Sequence, residues 1–216
     1  MFVSPQKAAG ALSLVLAVLL PVVGFGFASM STQEVEEQKN PVIQTVAHVV
    51  PPFSQDNVSE DVLWLARCIY SETKRPQEQE LVAWVIRNRV ETGYRGKRTY
   101  ESTVLDPYQF SAFNPGSAKR RLYLSLGAHS DAMGWKKALE VAHHVYHAPE
   151  AERPFDERTR HFYSERSMRG GRTPAWAVGK TPVQPARFRP DPRRFRFYSS
   201  IAAATPALSL GGSIIG

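Results

Sequence analysis

The chain has a single cysteine, Cys68, so no internal disulfide can form and packing alone must hold the fold. Thiol chemistry is disfavoured as well, because no histidine lies close in sequence and a nucleophilic thiol needs a positioned base. Cys68 stands among Leu65, Ala66 and Ile69, a setting that suits a small core hydrophobe. An HExxH motif is absent. His143 and His147 are four apart on one helix face, a spacing some zinc ligands use, but no acid stands between them. They read as basic residues near a helix C-terminus, and neither a metal nor any other cofactor is expected. Internal repeats are lacking, which excludes solenoid and array architectures.

Acids are scarce in the C-terminal half. Between Arg153 and Arg196 eleven Arg and one Lys meet four acids, in a chain whose formal net charge is +7. Such a basic segment suits a polyanion: nucleic acid, an anionic lipid surface or an acidic wall polymer. At the other end charge is missing altogether, from Ala8 to Phe27. Lys7, that apolar run and the small-x-small site Gly26-Phe27-Ala28 together read as a secretory signal cleaved after Ala28. The run is twenty residues long, enough to span a bilayer, so residues 1–28 are a signal peptide or a membrane anchor. Both readings export the domain to the periplasm or cell envelope, and export argues against a nucleic-acid partner.

Residues 29–58 are polar and proline-punctuated and read as a linker. The domain is placed at 59–200, and the small-residue segment 201–216 is expected to be a flexible tail. Ser59 can cap a helix whose first turn holds Glu60 and Asp61, and Val62, Leu65, Ala66 and Ile69 follow at helical spacing. Pro76 suits the first position of a second helix. Glu78 and Glu80 are expected in its solvent-facing first turn, with Arg87, Asn88 and Arg89 complementing the helix dipole at its end. Residues 92–129 read as loops and short pieces, and a third helix is predicted from Asp131 to His147. Arg160 to Tyr163 and Arg194 to Tyr198 read as strands. The fold class is therefore α+β and mainly helical.

Glu72 is the residue with most chemical promise. It follows Ile69 by three positions, at the end of an apolar helical run, so its carboxyl lies near the buried stripe. Partial desolvation there raises a carboxyl pKa and keeps a proton available near neutrality. Such an acid can protonate a glycosidic oxygen. Glu72 can equally be the partner of Arg67, Lys74 or Arg89 in an ion pair.

Five short segments, in order, carry a resemblance: Leu65 to Glu72 (LARCIYSE), Asn88-Arg89-Val90, Gln109-Phe110-Ser111, His161-Phe162-Tyr163 and Pro174-Ala175-Trp176. The set resembles the cell-wall hydrolase family of the spore-cortex lytic enzyme SleB, over roughly residues 60–198. The resemblance implies a lysozyme-like domain with a small β-sheet beside its cleft, cleavage of the glycan strands of peptidoglycan, and Glu72 as the catalytic acid. Ser71 and Thr73 stand where the family has Gly and Ala, and the family's late Gly-x-His is missing. A non-catalytic module binding the cell wall or a polyanion on the same fold is therefore the alternative.

Tyr108, Gln109 and Ser111 offer neutral donors and acceptors to sugar hydroxyls. Tyr70, Phe110, Phe162, Tyr163 and Trp176 offer ring faces for stacking, although aromatics also dominate cores. His161, which matches the family's late His, either orients substrate, holds the cleft together by hydrogen bonding or is a satisfied core histidine. Of the acids, Asp106 is the one candidate for a second carboxylate. Without one, Glu72 can work alone, as in a lytic transglycosylase, or with water, as in a muramidase-type hydrolase. Anionic wall polymers or a lipid surface are expected as further partners of the basic half, and a monomer is expected.

Overall fold

The computed structural model describes residues 49–203. The expected signal or anchor at 1–28, most of the linker and tail residues 204–216 lie outside the described residues. Among the described residues no helix is long and apolar enough to cross a membrane.

Helix α1 (Glu60–Glu72) begins where Ser59 caps it, the Val62 N–H donating to the Ser59 hydroxyl at 3.3 Å. Val62, Leu65, Ala66, Cys68 and Ile69 are buried, as their spacing requires, and the chain leaves the helix in extended conformation at Thr73. Pro76 opens α2 (Pro76–Glu91), where its fixed φ and missing N–H are harmless. Leu81 through Ile86 are each 2% exposed or less, so α2 is buried on all sides and forms the centre of the fold.

Two short helices, α3 (Tyr100–Val104) and α4 (Arg120–Leu124), occupy the irregular region. Helix α5 (Trp135–His147) packs on α1 and α2. It starts four residues later than its apolar pattern suggests, because Gly134 takes the left-handed φ of +76° at its N-cap. Arg87 of α2 donates to the carbonyls of Val145 and Ala148, each at 2.7 Å, and so satisfies the end of α5.

Strands β1 (Thr159–Tyr163) and β2 (Arg196–Ser199) pair antiparallel, with His161 opposite Tyr198 and Phe162 opposite Phe197. Alternation divides the side chains between two cores. Phe162, Phe195 and Phe197 meet the main core, while Tyr163 and Tyr198 pack with Ala177, Ile201 and Trp176 in a smaller one. The sheet is tied to α2 by the two polar residues that interrupt the apolar end of that helix. Asn88 Nδ2 donates to the carbonyls of Asp156 (3.2 Å) and Thr159 (3.0 Å), and Arg89 Nε donates to that of Arg160 (2.7 Å).

The architecture is thus α+β, mainly helical, with one two-stranded sheet. Its packing reaches past the expected boundaries of 59 and 200. Phe53 and Val58 lie against the core, Gln55 Nε2 donates to the Ala128 carbonyl at 2.8 Å, and Ile201 is buried.

Candidate active site

The end of α1, the end of β1 and the loop from Tyr108 to Asn114 enclose a cleft of about 520 Å³. A volume of that order suits a small-molecule or sugar-sized ligand. Ser71, Glu72, Gln109, Ser111, Asn114, Tyr163, Ser164 and Ser167 bring neutral polar groups and one acid to it, and Arg89, Arg166 and Arg194 bring positive charge.

Glu72 is the last residue of α1 and is half-buried. Its carboxyl makes no hydrogen bond and no ion pair among the described residues. Burial pushes its pKa from the usual 4.5 up to about 7, the larger effect, with the charge of Arg89 pulling the other way. None of the cations that could have neutralised it makes an ion pair with it, although Arg89 lines the same cleft and its buried Nη1 has no hydrogen-bond partner. Arg67 Nε donates to the Leu126 carbonyl at 3.0 Å. Lys74 lies over the Tyr70 ring and donates to the Tyr70 carbonyl. Arg89 is 5% exposed, bonded to β1 and held between the rings of Tyr94 and Phe110, 5.4 and 5.1 Å from their centroids. The ion-pair explanation of Glu72 therefore does not hold.

No second acid lines the cleft among the described residues. Asp106 is buried and receives Arg95 Nε at 2.6 Å, so its charge is already matched. Glu78 is not in a solvent-facing turn. It is 1% exposed and forms a two-pronged ion pair with Arg194, at 2.7 and 2.8 Å, with the Thr73 hydroxyl donating to it at 2.6 Å. A first-turn acid usually stays solvated, but here the chain near β2 folds over it.

The expected sugar-binding residues divide. Tyr108, Gln109, Ser111, Phe162 and Tyr163 share the cleft with Glu72. Four others do not line it. Tyr70 is buried edge-on to Trp135, its hydroxyl donating to the Met133 carbonyl at 3.0 Å. Phe110 is 1% exposed and packs under Arg89. His161 and Trp176 face each other with ring centroids 5.2 Å apart. Burial, aided by Arg89 and Arg160, drives the His161 pKa down to about 4, and the Tyr94 hydroxyl sits 2.9 Å from its Nε2. His161 is thus a neutral packing residue near pH 7. The histidines of α5 are also structural: His143 lies edge-on to Phe53, and His147 Nδ1 is 2.9 Å from the His143 carbonyl oxygen.

Sequence reasoning missed Asn114, Ser164, Arg166, Ser167, Arg194 and Phe195 as cleft residues. Of these, Arg194 left a detectable sign, since a basic run following Asp191 suggests an acid partner somewhere, but its partner Glu78 is 116 residues away.

Tyr108 is the most solvent-exposed ring at the cleft, 85% exposed, and it adopts a φ of +63°. Non-glycine residues pay for that left-handed conformation. The Asn114 side-chain oxygen holds it by accepting the Tyr108 N–H at 2.8 Å. Tyr108→Gly is expected to unfold at higher urea concentration, by about 0.5–1 kcal/mol, because little packing is lost and strain is relieved. A lower midpoint would show that the ring contributes packing that its exposure conceals.

No family model, curated protein or solved structure matches the chain. What the site can do must be argued from its own chemistry. It combines a partly dry, unpartnered carboxylic acid with neutral donors, arginines and one projecting aromatic ring, an arrangement able to protonate a leaving oxygen on a polar substrate.

Proposed function

We propose that the protein cleaves the glycan strands of peptidoglycan, with Glu72 as the acid that protonates the scissile glycosidic oxygen. The observation that carries this reading is the Glu72 carboxyl itself: at the cleft, without a partner, and with its pKa raised to about 7. The helical domain with a small sheet beside the acid is in keeping with a lysozyme-like fold, and the ordered motifs similar to the SleB-type cell-wall hydrolases point the same way. Tyr108 would stack on a pyranose face, and Gln109, Ser111 and Asn114 would bond hydroxyl and acetamido groups.

The lack of a second cleft carboxylate among the described residues favours a one-acid route over a two-carboxylate glycosidase. Glu72 gives its proton to the leaving oxygen as the C1–O bond breaks. The resulting carboxylate then takes the proton of the substrate's own C6 hydroxyl, whose oxygen bonds to C1 and closes an anhydro ring. Glu72 ends protonated, as it began. Water in place of the C6 hydroxyl gives plain hydrolysis.

Protein lacking residues 1–28 is expected to release soluble muropeptides from purified sacculi. Mass spectrometry of the products should show anhydro ends, and reducing ends would assign hydrolysis instead. Sacculi that are bound but left intact would support the non-catalytic wall- or polyanion-binding module.

A further inference from the structure

The floor of the cleft carries a charge that the rest of the fold leaves unmatched. The three most buried lining residues are Arg89 and Phe195, each 5% exposed, and Tyr163, 6% exposed. The Arg89 guanidinium lies over the Phe110 ring, and the neighbours of Phe110 in the chain, Gln109 and Ser111, also line the cleft. A guanidinium has five N–H donors, and here the one on Nε is engaged, by the Arg160 carbonyl. Nη1 is buried and has no hydrogen-bond partner, and Arg89 forms no ion pair among the described residues. Burial lowers its pKa, but a guanidinium stays protonated near neutrality.

A buried cation without a counter-charge is unfavourable, and packing alone would be served as well by a neutral side chain of similar volume. The nearby acids do not offset it. Asp106 is held by Arg95, and Glu72, with its pKa at about 7, is charged only in part at neutral pH. The other two arginines of the cleft differ in this respect, since Arg166 pairs with Asp191 and Arg194 with Glu78. The unmatched charge of the cleft therefore sits on Arg89. A carboxylate entering from solvent would match it in sign and accept its unused N–H groups in the planar, two-pronged geometry that a guanidinium favours.

We propose that Arg89 anchors a carboxylate-binding site at the floor of the cleft, so that the preferred ligand carries an acid group. The inference rests on the glycan-cleaving reading only for the source of that acid. Of the two sugars in such a strand, N-acetylmuramic acid bears a carboxylate, free where no peptide is attached, and N-acetylglucosamine bears none. A small free acid offers the same chemistry without the sugar.

The test is calorimetric titration of the full chain with N-acetylmuramic acid, its methyl ester and acetate. The acid is expected to bind about tenfold more tightly than the ester, in which the charge is masked. Arg89→Gln should weaken the acid about tenfold and leave the ester unchanged, so that the preference disappears. Arg89 also holds β1, so the variant is first shown to be folded by circular dichroism. The comparison of acid with ester in the wild-type chain needs no variant and decides the matter if Arg89→Gln does not fold. Lys136→Gln removes one exposed charge from α5 and should leave the preference intact. Acetate that binds as well as the sugar acid would assign the site to a small free acid, and acetate that binds more weakly would assign it to the sugar acid. Equal binding of acid and ester, binding of neither acid nor acetate, a preference that survives in folded Arg89→Gln, or one lost in Lys136→Gln would overturn the site. Failure of the glycan-cleaving reading is seen separately, as sacculi left intact by the wild-type chain.

Discussion

Glu72→Gln is expected to slow release of muropeptides by about 10³-fold and, at the same time, to make the folded protein more stable above pH 7. The first effect is that of removing a general acid, which contributes on the order of 10²–10⁴ in rate. The second follows from linkage. The Glu72 pKa is about 7 in the folded chain against 4.5 for an ordinary glutamic acid, so the folded state holds this proton more tightly than the unfolded state does. Ionisation therefore opposes folding. The penalty is absent below pH 4.5, grows between there and about 7, and is complete above that. Its full size would be about 3 kcal/mol, reduced to about 2 kcal/mol because the side chain keeps some access to water. Glutamine has no charge to desolvate. Urea midpoints of the two proteins should coincide near pH 4 and separate in favour of Glu72→Gln by pH 8. Wild-type activity should fall with rising pH once the acid is spent, about tenfold per unit well above pH 7. A Glu72→Gln protein that is no more stable than wild type at pH 8 would place the carboxyl in water and remove the basis of the mechanism.

Much of the frame was legible because its determinants are local. Ser59 as a cap, Pro76 at a first turn and the spacing of Val62, Leu65, Ala66 and Ile69 each act within one or two turns, and the helices lie where those signals put them. Glu72 was legible for the same reason, since its distance from Ile69 sets which side of the helix it shares. The strand segments read from Phe162 and Phe197 pair directly opposite one another. What could not be read depends on contacts between distant parts of the chain. Aromatic residues follow the same spacing whether they end in the core or at a groove, so the burial of Tyr70 and Phe110 could not be read from their positions. Arg89 looked like a cation at the end of a helix, yet its guanidinium reaches sideways to the Arg160 carbonyl. The start of α5 turned on a single left-handed glycine inside a stretch whose polarity suits a helix.

The pair Glu78–Arg194 is the largest of these long-range effects and supports an asymmetric prediction. Burial pushes the Glu78 carboxyl up, but hydrogen bonds from Arg194 and Thr73 together outweigh it and hold the group below the usual carboxylate range. The two partners are not equivalent. Glu78 is 1% exposed, while the Arg194 side chain keeps 24% exposure beside the cleft. Arg194→Met leaves the buried carboxylate only the Thr73 hydroxyl and the longer, largely exposed contact with Arg75 at 3.8 Å, and is expected to destabilise the protein by about 3 kcal/mol at pH 8. Glu78→Gln leaves an arginine that can turn to solvent and retains a side chain able to bond Thr73, so its effect should be about 1–2 kcal/mol. The pH dependence separates the causes. In wild type the folded pKa of Glu78 is depressed, so the pair's contribution is present above the ordinary carboxylate pKa and is lost as pH falls through the folded value. In Arg194→Met the sign reverses: the stranded carboxyl is protonated more readily when folded, and the deficit relative to wild type should narrow toward pH 4. Combining Glu78→Gln with Arg194→Met should recover most of the loss, which a double-mutant cycle from urea unfolding at pH 5 and pH 8 would measure. An Arg194→Met deficit that is the same at both pH values would mean that the arginine acts through packing of its stem against Phe195 and the cleft wall, and that the buried charge on Glu78 is matched by some other group.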